Sequence, residues 1–266
     1  MDKLAPVVKM VRLVLQTGYI EEYGVISPKS LILFANAESG KTLAIDQFKG
    51  LENIYYTNDI SPKVFVDEIF RRIERGEITH IVIPDLINCI EKNKSTRQRT
   101  INLFKTIIEE GLESLDTFHM RYKSEKPIKA GLISAITAQS FMTMRREWVR
   151  SGFISRCIPF SYSYSQYSVH QIIQSIISQE AITDFEKKIK TTPADIEIDA
   201  HLANQFIGAA QTTARQVEAY GFRLLKIFIS LAKANAMLED RAAVTQEDIN
   251  EVMRLSQWIN YNFNQI

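Results

Sequence analysis

The chain opens on a run whose apolar and charged positions alternate with helical spacing, Met1 to Gln16, and this predicts an amphipathic helix. Leu31 to Phe34 is a short apolar run after Pro28; it leads into a polar octet, Ala35 to Thr42, and then into a helix-like stretch to Lys49. Strand, loop and helix is the order this predicts. Asn53 to Thr57 predicts a second strand. Ser61 and Pro62 place a cap and a first-turn proline before Val64, Phe65, Ile69, Phe70 and Ile73, which recur at helical spacing until Gly76. Ile78 to Ile83 reads as a buried strand, residues 99–113 as a helix, Gly131 to Thr137 as a strand, and Cys157 to Tyr164 as a β-rich segment. This alternation predicts an α/β fold, a parallel sheet with helices on both faces. After Tyr167 the pattern changes: from His170 onward it is almost entirely helical, broken at Thr191 to Pro193 and at Glu239 to Val244. Thr245, with Asp248 three residues later, is a capping-box pattern, so a last helix is expected to begin there. The expected division is an α/β core over residues 1–168 and a helical lid over residues 169–266.

Composition narrows the class. A chain of 266 residues with 45% hydrophobic residues, 10 Gly and 7 Pro is an ordered globular protein long enough to bury a sizeable core. Its 32 Lys and Arg against 31 Asp and Glu leave a net charge of +1, so any nucleic-acid contact must be local. Cys89 and Cys157 are too few for a disulfide scaffold or a Cys-rich metal site, and the 4 His show no ligand spacing, which fits a reducing cytoplasm. Asp2, Lys3, Lys9 and Arg12 interrupt the first apolar stretch, so neither a signal peptide nor a membrane span is expected.

The octet carries the clearest chemistry. A phosphate-binding loop needs a tight turn with converging amides, a following helix start, a lysine for the terminal phosphates and a hydroxyl for Mg²⁺. Ala37, Glu38, Ser39, Gly40, Lys41 and Thr42 match that order, although Ala35 stands where the eight-residue pattern has its first glycine. Asp85 closes the run Ile81-Val82-Ile83-Pro84, which in a parallel sheet puts its carboxylate beside such a loop, available to Mg²⁺ or to a water. Leu86 follows it, so an adjacent second acid is missing; Glu109 and Glu110 on the next predicted helix are the substitutes considered.

In this order of parts the sequence resembles the AAA+ superfamily of P-loop ATPases over most of its length. The resemblance implies a parallel-sheet P-loop core with a carboxyl-terminal helical lid, ATP and Mg²⁺ as cofactors, and Thr137, which ends its strand, as the sensor 1 residue. Gly152-Phe153-Ile154-Ser155-Arg156 is similar to the arginine-finger segment of minichromosome-maintenance helicases, with Arg156 reaching a neighbouring subunit's γ-phosphate. Arg223-Leu224-Leu225, the segment Leu231 to Ala236 and the segment Val244 to Ile249 resemble the lid of the same helicases, which gives Arg223 the sensor 2 role, with Arg215 as its rival. The compact layout also resembles small ATPases of phages and integrative mobile elements.

Between the residue 99–113 helix and the Thr137 strand, residues 117–129 alternate around a turn and predict a β-hairpin. The helicase resemblance implies a hairpin that holds DNA, with Arg121, Lys123, Lys126 and Lys129 on phosphates and Tyr122 stacking on a base. The expectation is therefore a cytoplasmic, homo-oligomeric ATPase, ring or helical, that acts on DNA as a helicase, motor or loader in replication of a mobile element alongside replication proteins. Ala35 and Leu86 favour the alternative, a weakly hydrolytic or inactive nucleotide-gated scaffold or loader.

Overall fold

A computed structural model describes residues 4–117, 120–178 and 185–261, the side chains of residues 117 and 120 excepted. Pro6 in the first turn starts helix α1 (Ala5–Gln16), and a 3₁₀ turn carries the chain into a small antiparallel ribbon, β1 (Glu21–Glu22) and β2 (Val25–Ile26). The apolar run becomes β3 (Leu31–Ala35), all of it buried. Consecutive strand side chains point to opposite faces, so burial of every one means both faces are covered. The loop from Asn36 to Gly40 then leads into α2 (Lys41–Asp46), which ends before Lys49.

After β4 (Ile54–Tyr56), Ser61 accepts from the Val64 amide at 3.4 Å and starts a helix that runs as α3 (Pro62–Val64), a π turn (Phe65–Ile69) and α4 (Phe70–Glu74). β5 (His80–Ile83) and the short α5 (Ile87–Ile90) follow. The next helix, α6 (Lys94–Lys105) with a π turn (Thr106–Glu110), begins earlier than the apolar spacing predicts because Asn93 caps it, accepting from Thr96 N at 2.9 Å. Gly111, at φ +84°, ends it. The hairpin is β6 (Leu112–Thr117) and β7 (Met120–Ile128), longer at its first strand than expected; Phe118 and His119 lie outside the described residues.

β8 (Gly131–Thr137), α7 (Ala138–Ser151) and β9 (Ile158–Ser161) complete the α/β part. Strands β3, β4, β5, β8 and β9 form one parallel sheet in the order β4-β5-β8-β3-β9. Gly131 is demanded by crowding, since a Cβ there would lie 2.3 Å from the His80 ring and 2.4 Å from the Lys29 carbonyl. That ring is completely buried, and burial pushes the His80 pKa down to about 4.

The remainder is helical, in α8 (Gln166–Ile177), α9 (Ala200–Asn204), α10 (Ile207–Ala214), α11 (Phe222–Leu238) and α12 (Gln246–Ser256). Residues 185–190 and 194–199, on either side of the expected break at Thr191 to Pro193, depart from the expected helix. Their backbone is recruited by α1, where Arg12 donates to the Lys188 carbonyl at 2.9 Å and Gln16 exchanges hydrogen bonds with Lys190 at 2.8 and 3.0 Å. The Thr245 capping box forms, its Asp248 carboxylate also held by Arg241 at 2.6 and 2.8 Å and by Asn235 at 2.7 Å. One buried apolar cluster runs through sheet and helices alike, and the tail after α12 pairs with β9, Ser161 N donating to Trp258 O at 2.8 Å. Among the described residues no helix is long and apolar enough to cross a membrane.

Candidate functional site

The parallel register puts the carboxyl ends of β3, β8 and β5 side by side, with Ala35 opposite Thr137 and Ile83 opposite Ser134. The octet loop, Thr137 and Asp85 therefore emerge on the same edge of the sheet, the edge at which open α/β folds bind ligands. In the loop Glu38 and Gly40 have φ of +60° and +81°; a Cβ on Gly40 would also sit 3.0 Å from Leu4. Ala35 needs no such freedom, because it is the last buried residue of β3 and its contribution is a carbonyl. The missing first glycine is thus accommodated by ordinary strand geometry.

Lys41 is the centre of the loop. Its ammonium donates to the carbonyls of Ala35 at 3.0 Å and Asn36 at 2.6 Å and to Ser39 Oγ at 3.1 Å. Burial lowers its pKa, opposed by the negative charge of Asp85, which places that carboxylate within electrostatic reach of the ammonium. Asp85 is exposed and accepts from the Ile87 amide at 3.1 Å. Thr42 and Ala37 are exposed at the loop, while Ser39 is buried and donates to the Asn36 carbonyl at 2.8 Å. Thr137 accepts from Ser140 N at 3.2 Å and caps α7. Leu86 is fully buried, so the position after Asp85 is packing rather than chemistry.

Two residues with no motif to announce them complete this edge. The hydroxyls of Tyr162 and Tyr164, on the segment after β9, both donate to the Ser39 carbonyl, at 3.1 and 2.8 Å. They pin the loop from the side; an Ser-Tyr-Ser-Tyr repeat after a strand is the sole trace they leave in the sequence.

Arg156 and Arg223 lie elsewhere. The 3₁₀ turn Ile154–Arg156 precedes β9, whose Ile158 pairs with Leu31 at the start of β3, so Arg156 is at the amino edge of the sheet. Its guanidinium forms ion pairs with Glu109 at 2.7 Å and Glu110 at 2.5 Å and donates to the Gly152 carbonyl at 2.7 Å. Arg223, at the start of α11, pairs with the other oxygen of Glu109 and lies 3.4 Å from Ser155 Oγ. Glu109 and Glu110 are therefore not stand-ins for a second acid beside Asp85; they are bound to arginines at the opposite edge. A cavity of about 170 Å³ opens there, lined by Lys29, Lys129, Arg156, Arg223, Lys226 and Glu109 among others.

The hairpin shows a mixed outcome. Lys123 and Lys126 are exposed, Lys129 is half-buried, and Arg121 is exposed with Asp116 at 3.2 Å. Tyr122 is buried, its ring 5.1 Å from that of Phe70, so the stacking expected of it is ruled out by packing on the neighbouring helix. Trp148, in the basic block before Arg156, is likewise core, against Phe141 and Phe153.

Among the described residues no three His, Cys, Asp or Glu side chains cluster to cage a metal. A loop with one ammonium, one exposed hydroxyl and one nearby carboxylate suits a phosphate-bearing ligand whose own oxygens complete the coordination of a divalent ion. The fold and this loop define an α/β protein with a parallel sheet and a carboxyl-edge site. No protein-family model matches the chain, and no curated protein matches it significantly.

Proposed function

We propose that the chain is an ATP-binding AAA+ protein, with residues 1–168 as the nucleotide-binding core and residues 169–266 as the lid, that assembles as a head-to-tail ring or helix and hydrolyses ATP. Lys41 holds the terminal phosphates, the loop amides from Ala37 to Gly40 surround them, and Thr42 with Asp85 would hold Mg²⁺. Mg²⁺·ATP, when bound, supplies the anhydride and neutralises its charge. Thr137, at the end of the strand beside the loop, orients the attacking water.

The observation that carries the reading is the separation of the two chemistries. Lys41 and Asp85 stand at the carboxyl edge of the sheet and Arg156 and Arg223 at its amino edge, a five-residue strand apart. Such a strand spans roughly 16 Å, too far for either arginine to reach its own loop. A second copy in head-to-tail contact brings one edge to the other, and unlike faces in contact generate rings or helices. Mixing Lys41→Ala subunits with Arg156→Ala subunits should regenerate interfaces with one intact half from each and restore part of the ATPase activity. Mixed oligomers without recovered activity, beside an active wild type, would remove the trans assignment.

DNA is the proposed substrate, bound along the hairpin by Arg121, Lys123, Lys126 and Lys129, in keeping with replication of a mobile element. Arg121→Ala with Lys123→Ala should weaken DNA binding and flatten its salt dependence; a wild-type salt slope takes the hairpin off the DNA path. Buried Leu86 favours a second reading, a slow nucleotide-gated scaffold or loader, and turnover measured with and without single-stranded and duplex DNA separates the two.

A further inference from the structure

We propose that the cavity at the amino edge of the sheet, walled by Lys29, Lys129, Arg156, Arg223 and Lys226, receives a phosphoanion, and that Glu109 is the internal counter-ion this anion displaces. The proposal deepens the reading above by adding residues and a gate to the arginine pair. It holds for the terminal phosphate of a neighbour's nucleotide and for a free polyphosphate, because the cavity recognises the charge and the tetrahedral oxygens common to both.

The charge count is the first support. Five cations line about 170 Å³ with one carboxylate, Glu109, on the same wall, and a second, Glu110, is bound to Arg156 at 2.5 Å. Among the described residues no carboxylate lies within ion-pair distance of Lys29, Lys129 or Lys226. Burial lowers the Lys29 pKa and the charges of Lys129 and Lys226 lower it further, while Glu22 and Glu109 oppose that. Glu22 is itself 3.6 Å from Lys233. Crowding like charges in a half-buried site is unfavourable, and a multivalent anion reverses the sign of that term.

The second support is the fit of Glu109. One carboxylate is shared by two guanidiniums, and although Glu109 Oε2 lies 2.7 Å from Arg156 Nε, both atoms are buried without an aligned hydrogen bond. Guanidinium forks reach their full strength on anions that accept along both N–H directions, which phosphate oxygens do. Arg156 does not depend on Glu109 for its place, since Glu110 and the Gly152 carbonyl also hold it. Departure of Glu109 therefore leaves a positioned arginine behind.

The test uses the full chain carrying Lys41→Ala, which removes the ammonium of the other phosphate site, titrated with sodium tripolyphosphate by calorimetry over a series of salt concentrations. Binding that weakens with salt is expected. Adding Glu109→Gln should tighten it about tenfold, and adding Lys226→Ala, at an exposed position on α11, should weaken it several-fold with an unchanged thermal melt. No binding, an affinity unmoved or reduced by Glu109→Gln, or capture of duplex DNA without tripolyphosphate would overturn the proposal. ATP-loaded wild-type subunits that associate with the Lys41→Ala chain, in a manner tripolyphosphate competes away, identify the neighbour's nucleotide as the source. Binding without association identifies a free phosphoanion. Wild type that binds no ATP, beside a Lys41→Ala chain that still binds tripolyphosphate, would remove the ATPase reading and leave this cavity standing.

Discussion

The two edges of the sheet are organised by different forces. At the carboxyl edge the ammonium of Lys41 rests on two carbonyls and a hydroxyl, and two tyrosines hold the Ser39 carbonyl. At the amino edge Arg156, Arg223, Glu109 and Glu110 balance one another as ions, with three lysines around the same cavity. The tyrosine bonds are neutral and the Lys41 ammonium donates to neutral acceptors, so this shape depends little on ionic strength, whereas ion pairs yield to salt and to an incoming charge. The first edge is thus built to present one geometry; the second is built to change partners.

That contrast is broken most severely by Arg156→Ala. Turnover is expected to fall on the order of a thousandfold, while calorimetry finds ATP affinity unchanged, since the loop is at the other edge. An equal loss of affinity would make Arg156 a structural residue. Acid acts next. His80 takes up a proton near pH 6.5 when unfolded but only near 4 in the fold, so the unfolded chain binds more protons between those values and stability falls as pH drops through them. The loss amounts to about 3 kcal/mol, read as a lower urea midpoint at pH 4 than at pH 7. A flat profile would mean that the folded ring itself takes up a proton near its ordinary value, held by a backbone carbonyl acceptor. Tyr162→Phe with Tyr164→Phe should remove about 2 kcal/mol, one for each hydrogen bond, and weaken ATP binding equally at low and high salt; a salt-dependent loss would mean that the tyrosines act through the Lys41 charge rather than through the shape of the loop. Ala35→Gly is the mildest change: it costs about 0.5–1 kcal/mol as a strand glycine and leaves ATP affinity as it was. Tighter binding would show that the loop does need the glycine.

The sequence made the sheet legible because its central strands are almost wholly buried and so read as apolar runs, as Leu31 to Phe34 and Ile81 to Ile83 do. Gly40 and Lys41 were legible for a similar reason, a chemistry confined to neighbouring positions. What escaped is non-local. The tyrosine bonds to Ser39 span more than a hundred residues, and Glu109 meets Arg156 and Arg223 only after three elements are packed. Residues 185–190, ahead of the break at Thr191 to Pro193, read as helix from their pattern, yet Arg12 and Gln16 take the carbonyls of Lys188 and Lys190 and the Lys190 amide, a tertiary override of local preference. Asn93 was a signal available and unused: a capping residue ahead of α6 that apolar spacing alone passes over.

The chain has just two tryptophans, and the fold gives each edge one of them. Trp148 is buried against Phe153, three residues before Arg156, while Trp258 lines a hollow with Tyr162 and Tyr164 beside the pinned loop. Replacing either by Phe leaves a single tryptophan among 10 tyrosines, so with excitation at wavelengths that tyrosine does not absorb, emission from one variant follows events at the arginine edge and emission from the other follows events at the lysine edge. The molecule is in this sense a two-channel optical instrument, able to report which of its halves a ligand has reached without a label being attached to either.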